Sequence, residues 1–300
     1  MQTITVTPRG YALGAEITGI DLREPLSDAA RQQIMDAWHK HLVLVFPKQE
    51  LTPEQQIRFT ACFGDVDPNE AAPYYRHPDH KEMLIVTNKP MGGKPSETAT
   101  AGTSWHADRT YTLRPTKASF LWCQEKPPVG GDTIFSNQYL ACEALSPTLR
   151  EFLEKLEAIH DVSLIKGLDK RDPEKVAAMK RINPPVVHKV IQTHPETGRK
   201  SLFVGQRIRS FVGMTEAESA PILAFLNQHA TSLEFTYRHQ WSLHDLLIWD
   251  NRCTMHIAVP NYDRSKIRYM LRTALLGEPI GRYYDDTVKA ASPASAAAVA

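Results

Sequence analysis

The sequence predicts a mainly β protein with helical additions, folded as a double-stranded β-helix of the jelly-roll, cupin-like kind. Three observations predict it. Short apolar, β-branched runs recur along the chain between turns that carry Gly and Pro. Helical spacing is confined to a few capped stretches inserted between those runs. A His-x-Asp triplet, His106-Ala107-Asp108, has a candidate partner, His256, far downstream on another strand-like run, and two facing sheets bring such distant strands together.

In chain order, residues 3–20 hold two short strand patterns broken by Arg9-Gly10 and Gly14. Ser27 or Asp28 can cap a helix that runs to about residue 41. Leu42-Val43-Leu44-Val45-Phe46 is short and continuously apolar, which suits a buried strand, and Pro47 ends it. The next helix starts with Thr52 as cap, Pro53 in the first turn and Gln55 placed for a capping box. A strand over 83–87 leads into residues 88–103, rich in Gly, Pro, Ser and Thr, which feed the His106 motif and read either as a lid or as a plain flexible connection. Strands over 118–123 and 133–135 flank Lys126-Pro127-Pro128-Val129-Gly130-Gly131 and read as an antiparallel pair.

Residues 137–156 have helical spacing with a fresh start at Ser146-Pro147, and the charged stretch 166–185 reads as a surface excursion able to contribute to substrate selection. Strand patterns over 186–193 and 200–204 flank the turn His194-Pro195-Glu196-Thr197-Gly198-Arg199. Thr215 and Glu218 are a second capping pair, opening a helix to about residue 230. Strands over 235–241, 245–249, around His256 and over 266–276 close the pattern. One domain over 1–286 is expected, followed by an Ala/Ser/Pro tail, 287–300, with too little apolar surface to order itself.

Composition excludes several classes of function. Lys and Arg number 35 against 34 Asp and Glu, a net charge of +1, so there is no field for nucleic acid or an anionic membrane, and attraction for anions has to be local. No run approaches the ~18 apolar residues of a membrane span, and the first residues lack the pattern of a signal peptide. Cys62, Cys123, Cys142 and Cys253 stand far apart with no CxxC spacing, so they are expected to be free thiols in a cytoplasmic protein.

The chemistry gathers in Ser104-Trp105-His106-Ala107-Asp108-Arg109. Two residues apart on an extended strand, His106 and Asp108 point to one face. With His256 they make two imidazoles and one carboxylate, the facial set that leaves positions open on a non-haem Fe(II) ion. Arg268-Tyr269-Met270-Leu271-Arg272 adds two guanidiniums four residues apart on a likewise apolar strand, where they share a face and call for an anion. Trp249 reads as a core aromatic, and Asp250 and Asn251 as organisers of hydrogen bonds around the ligands.

These motifs, together with Leu13-Gly14-Ala15-Glu16-Ile17-Thr18-Gly19, Gly130-Gly131-Asp132-Thr133, His194-Pro195-Glu196-Thr197-Gly198-Arg199 and Trp249-Asp250-Asn251-Arg252, run in order along nearly the whole chain. It resembles the taurine dioxygenase and 2,4-dichlorophenoxyacetate dioxygenase family of Fe(II)- and 2-oxoglutarate-dependent oxygenases. The resemblance implies the jelly-roll fold, iron on His106, Asp108 and His256, and O2 and 2-oxoglutarate as cosubstrates. It maps Arg268 and Thr133 to the far carboxylate of 2-oxoglutarate, and Arg272 to its chelating end or to the anionic group of the prime substrate. It also implies a homo-oligomer, dimer or tetramer. A carboxylate at Asp108 points to hydroxylation, because halogenating relatives carry a small residue there.

The sequence departs from members that act on taurine at Gly102, where they carry asparagine, and at Ser163-Leu164, where they carry Ser-Phe. The expected substrate is therefore a small organic anion of the aryloxyalkanoate, alkyl sulfate or sulfonate type, whose hydroxylated product can break apart. Two alternatives stay open at this point: a non-catalytic small-anion-binding protein on the same fold, and an iron oxygenase that does not use 2-oxoglutarate.

Overall fold

The computed structural model describes residues 3–90, 93 and 96–285. The expected tail, 287–300, lies outside them. A seven-stranded sheet runs in the order Thr5–Pro8, Ala15–Thr18, Val43–Phe46, Leu246–Asp250, Ala118–Glu125, Tyr269–Leu275, Leu84–Thr87. Its neighbours are antiparallel except for Ala15–Thr18 beside Val43–Phe46. Alternation along each strand sorts its side chains between two cores. Leu246, Ile248, Phe120, Trp122 and Leu271 join Ile34, Trp38 and Phe59 under the helices Asp28–His41 and Pro53–Ala61. Leu247, Trp249, Leu121 and Met270 turn the other way and cluster with Phe135 of a second sheet.

That second sheet has three strands, in the order Thr236–His239, Thr133–Asn137, Thr254–Ala258. Here the structure corrects one expectation. Ala118–Glu125 and Thr133–Asn137 do not pair with each other; the first lies in the large sheet and the second in the small one. The intervening residues 126–132 cross between sheets, and Gly130, at φ 78°, packs so close to the Asn261 backbone that a Cβ would lie 2.1 Å from its carbonyl oxygen. A side chain there has no room, which is why the crossing needs glycine.

The helix starts form as the capping signals predict. Ser27 accepts a bond from Ala30 N at 3.2 Å, and Thr52 with Gln55 and Thr215 with Glu218 complete capping boxes, each cap contributing on the order of 1 kcal/mol. Three strands had no clear signal in the sequence: Glu157–His160, Ile208–Phe211 and Arg282–Tyr283. They join Val186–Lys189 in a four-stranded sheet. The charged excursion contains a helix, Pro173–Ile182, capped by Asp172. The four cysteines are free, as expected. Among the described residues no helix is long and apolar enough to cross a membrane.

Candidate active site

The His-x-Asp segment is not the strand its spacing predicts. His106 makes one antiparallel bridge to His256, donating from its backbone N to His256 O (3.1 Å) and accepting from His256 N (2.8 Å). The chain then turns at once, with Arg109 at φ 52°. Buried bonds from Arg109 to Asp67 and to Asn69 Oδ1 (2.5 Å) hold that left-handed residue in place. The turn still brings the three side chains together. His106 Nε2 lies 3.7 Å from Asp108 Oδ1, and His256 Nε2 lies 3.9 Å from Asp108 Oδ2. The imidazole centroids are 4.2 Å apart.

Hydrogen bonds to His106 and Asp108, and packing around His256, prepare the three groups for a metal. The Ser104 carbonyl lies 2.7 Å from His106 Nδ1; a carbonyl only accepts, so the proton is on Nδ1 and the Nε2 lone pair is left free. Phe135 and Trp249 flank the His256 ring, at 6.0 and 4.8 Å between centroids. Burial pushes His106 well below the ordinary imidazole range and His256 down to about 4, so both rings are neutral at pH 7. Burial opposes ionisation of Asp108. The Arg272 guanidinium outweighs it, with help from the Ser119 hydroxyl, and holds the carboxyl well below its usual range. Neutral imidazoles and an ionised carboxylate are the protonation states a divalent cation requires, and one ligand atom from each lies within 4.8 Å of the others.

Behind these three stands a shared bond network. Asp108 Oδ2 accepts from Ser119 Oγ (2.7 Å) and Oδ1 from Arg272 Nη1 (2.8 Å). Asn251 Oδ1 accepts from Asp108 N (3.0 Å) and Trp249 Nε1 (3.1 Å), while its Nδ2 donates to Ser119 Oγ (3.2 Å). Asn251 thus has the organising role expected of it, whereas Asp250, expected to share that role, bonds to His194 and Arg252 instead; Trp249 is buried as expected. Removing the Ser119 hydroxyl frees one carboxylate oxygen to rotate. Ser119→Ala is expected to weaken metal affinity about 10- to 100-fold, the usual cost of losing such a partner, with the fold intact; metal titration by calorimetry checks it.

The three groups border a cavity of about 150 Å³ that Thr133, Arg268 and Arg272 also line. Met270 belongs to the core between the sheets and Leu271 to the core under the helices. Arg268 and Arg272 therefore share the Met270 face, as the strand period predicts. Arg268 is 8% exposed and pairs with no carboxylate among the described residues. Its Nε donates to Gly131 O (3.1 Å), and its guanidinium lies 5.9 Å from the Trp241 ring centroid. Trp241 Nε1 donates to Thr133 Oγ1 (3.0 Å), which leaves the threonine's own proton free to be donated.

Sequence reasoning missed part of this wall. Tyr75, Tyr111 and Arg207 line the cavity, and so do Ile165, Arg171 and Met179 around and within the charged excursion. Ser119 was missed too, although a buried serine in an apolar strand is itself a signal that a polar partner faces it. The described part of segment 88–103, through Thr98, Ala101 and Gly102, borders the same space. Residues 91–92 and 94–95 of that segment lie outside the described residues.

A second group, His194, Asp250 and Cys253, also has close ligand atoms, but its bonds are already made. His194 Nε2 meets Asp250 Oδ2 at 3.0 Å, His194 Nδ1 accepts from Thr197 N at 3.2 Å, and Arg252 forks onto Asp250 at 2.6 and 2.8 Å. Burial pushes the Cys253 thiol well up, away from the thiolate a metal needs. It is a structural cluster.

Known proteins match nearly the whole chain. The family description "Taurine catabolism dioxygenase TauD, TfdA family" matches residues 5–274. The (S)-phenoxypropionate/alpha-ketoglutarate-dioxygenase of Sphingobium herbicidovorans is 32% identical over 279 residues, covering 91% of this chain and 95% of its own. An alkylsulfatase of Acinetobacter baylyi is 33% identical over 273 residues, covering 89% and 83%. Among solved structures, AAD-2 in complex with Mn(II) and N-oxalylglycine superposes with a TM-score of 0.78 at 31% identity, covering 93% of this chain and 99% of its own.

Proposed function

The chain belongs to the TauD/TfdA family of 2-oxoglutarate-dependent dioxygenases, and from that premise we propose that it is an Fe(II) enzyme hydroxylating a small organic anion of the aryloxyalkanoate, alkyl sulfate or sulfonate type. The observation that carries the reading is Arg268, a buried guanidinium without a counter-charge among the described residues, beside a neutral His, ionised Asp, neutral His set. A desolvated cation is costly unless an anion meets it, and a planar fork matches a carboxylate. The fold proposed for it is the double-stranded β-helix, supported by two mainly antiparallel sheets that face each other across the Phe135 and Trp249 core and by ligands drawn from distant segments.

His106 and His256 would hold iron through Nε2, and Asp108 through its carboxylate. Iron bound there supplies the site at which O2 and decarboxylation of 2-oxoglutarate, to succinate and CO2, are coupled to hydroxylation of a substrate C–H bond. The protein's part is positioning. Gly131 O fixes Arg268 through Nε, leaving the terminal nitrogens for the far carboxylate of 2-oxoglutarate, and the Thr133 proton adds a further donor. Arg272 steadies Asp108 and offers positive charge to the chelating end of the cosubstrate or to the substrate anion. Trp249, Leu121, Ile85 and Val86 give the cavity apolar walls that exclude water. Where the hydroxylated carbon carries an ether or sulfate oxygen, the product is unstable and releases that group.

The test is a panel of aryloxyalkanoates, alkyl sulfates and sulfonates, with succinate and O2 uptake measured together. Substrate-dependent succinate formation, matched by O2 consumed, is the expected result. Succinate that never depends on any anion in the panel would remove the proposed substrate class.

A further inference from the structure

Besides the ligand histidines, six charged side chains line the cavity: Asp108, Arg109, Arg171, Arg207, Arg268 and Arg272. Arg109 is neutralised by buried Asp67. In the function proposed above, 2-oxoglutarate brings two negative charges and Asp108 one, against two positive charges on Fe(II) and one each on Arg268, Arg272, Arg207 and Arg171, so three positive charges stay uncompensated. The far carboxylate of 2-oxoglutarate occupies Arg268, and Asp108 holds Arg272. Arg207 and Arg171 are left over. Neither pairs with a carboxylate among the described residues.

Each is held in place without being neutralised. Arg207 Nη1 donates to Ala107 O at 3.2 Å, and its guanidinium lies 5.3 Å from the Tyr111 ring centroid. Arg171 Nη1 donates to the Tyr75 hydroxyl at 2.9 Å and stacks 5.2 Å from that ring; its Nε is buried without a partner. Glu97, which also reaches the Tyr75 hydroxyl, is taken up by Lys175 at 2.7 Å. Burial draws the Arg207 pKa down from its ordinary value, and the charges of Arg272 and Arg171 draw it the same way, against the opposing pull of Tyr111 and Asp108. Like charges gathered around a cavity at low dielectric repel, and an anion among them relieves the repulsion.

We propose that the prime substrate is a dianion: one anionic group sits at Arg272 beside the iron site, and a second, a carboxylate or sulfate, sits at Arg207 and Arg171 beneath the charged excursion. This rests on the proposed function and narrows it. The apolar middle of such a molecule has Ile165, Met179 and Tyr75 to lie against.

The experiment is anaerobic calorimetric titration of the protein loaded with Fe(II) and 2-oxoglutarate, using two matched pairs: phenoxyacetate with (4-carboxyphenoxy)acetate, and hexyl sulfate with 6-sulfooxyhexanoate. In at least one pair the dianion is expected to bind roughly tenfold tighter or more than its monoanionic parent, the yield of one added charge-assisted contact. In Arg207→Gln and in Arg171→Gln that ratio is expected to fall to about one. A dianion no tighter than its parent in either pair overturns the proposal. So does a ratio that survives both substitutions, and Arg171→Gln alone decides if Arg207→Gln does not fold. Failure of the underlying function is distinguishable, because it appears earlier, as protein that binds iron and takes up no 2-oxoglutarate.

Discussion

Asp108→Ala is expected to lower turnover by more than a hundredfold, beyond the roughly 10- to 100-fold attributed to partners outside the ligand set. The methyl group provides no oxygen for the metal, and the two histidines alone leave it weakly held. The structure also shows a second consequence. Asp108 is the carboxylate that Arg272 meets at 2.8 Å, and its loss leaves that guanidinium partly buried with no counter-charge, a change that for buried pairs costs about 3–5 kcal/mol. Asp108→Asn separates the effects. Its amide oxygen, a poor and neutral ligand, still accepts from Arg272, while its amide nitrogen donates to the Ser119 hydroxyl, reversing that bond. Asn at this position is therefore expected to keep more of the thermal stability and lose as much turnover. Succinate formation and melting curves of both variants check this, and wild-type turnover in either one removes Asp108 from the ligand set.

Arg268→Ala is expected to raise the 2-oxoglutarate requirement roughly thirty- to a few-thousand-fold. That range converts the 2–5 kcal/mol typical of truncating one partner of a buried charge pair, at 1.4 kcal/mol per tenfold. Arg268→Lys is expected to recover only part of it, since an ammonium on a flexible stem does not present the fork that Gly131 O orients. Stability supplies an independent reading. Arg268 has no carboxylate partner among the described residues, so its removal lifts a desolvation cost and the melting temperature without ligand is not expected to fall. Added 2-oxoglutarate, which raises the melting temperature of the wild type by mass action, is expected to do much less for Arg268→Ala. An unchanged 2-oxoglutarate requirement would place the cosubstrate elsewhere.

Much of this was legible because the signals are local. Capping pairs such as Thr52 with Gln55 are written within four residues, and the period of two that sends Leu247 and Trp249 to one core and Leu246 and Ile248 to the other is written within five. The same period carried the shared face of Arg268 and Arg272. Pairing is not local. Residues 118–125 and 133–137, separated by prolines and glycines, have the composition of a hairpin, yet they enter different sheets because their partners, Leu246–Asp250 and Thr254–Ala258, lie far along the chain. Arg207 was missed for a similar reason. Nothing beside it in Gly205-Gln206-Arg207-Ile208 distinguishes it from a solvated arginine, and its place on the cavity wall comes from Ala107 and Tyr111, remote in sequence. The His106 turn shows the converse: the spacing of two predicted a shared face correctly while the strand behind that prediction is only a single bridge.

One site is expected to hold both Fe(II) and 2-oxoglutarate, and anaerobic titration of the iron-loaded protein with 2-oxoglutarate tests this most directly. The expected result is a visible metal-to-ligand charge-transfer band that saturates at about one equivalent per chain, forms only at much higher 2-oxoglutarate in Arg268→Ala, and fails to form in Asp108→Ala. Iron bound at one equivalent per chain with no such band at any 2-oxoglutarate concentration would contradict it.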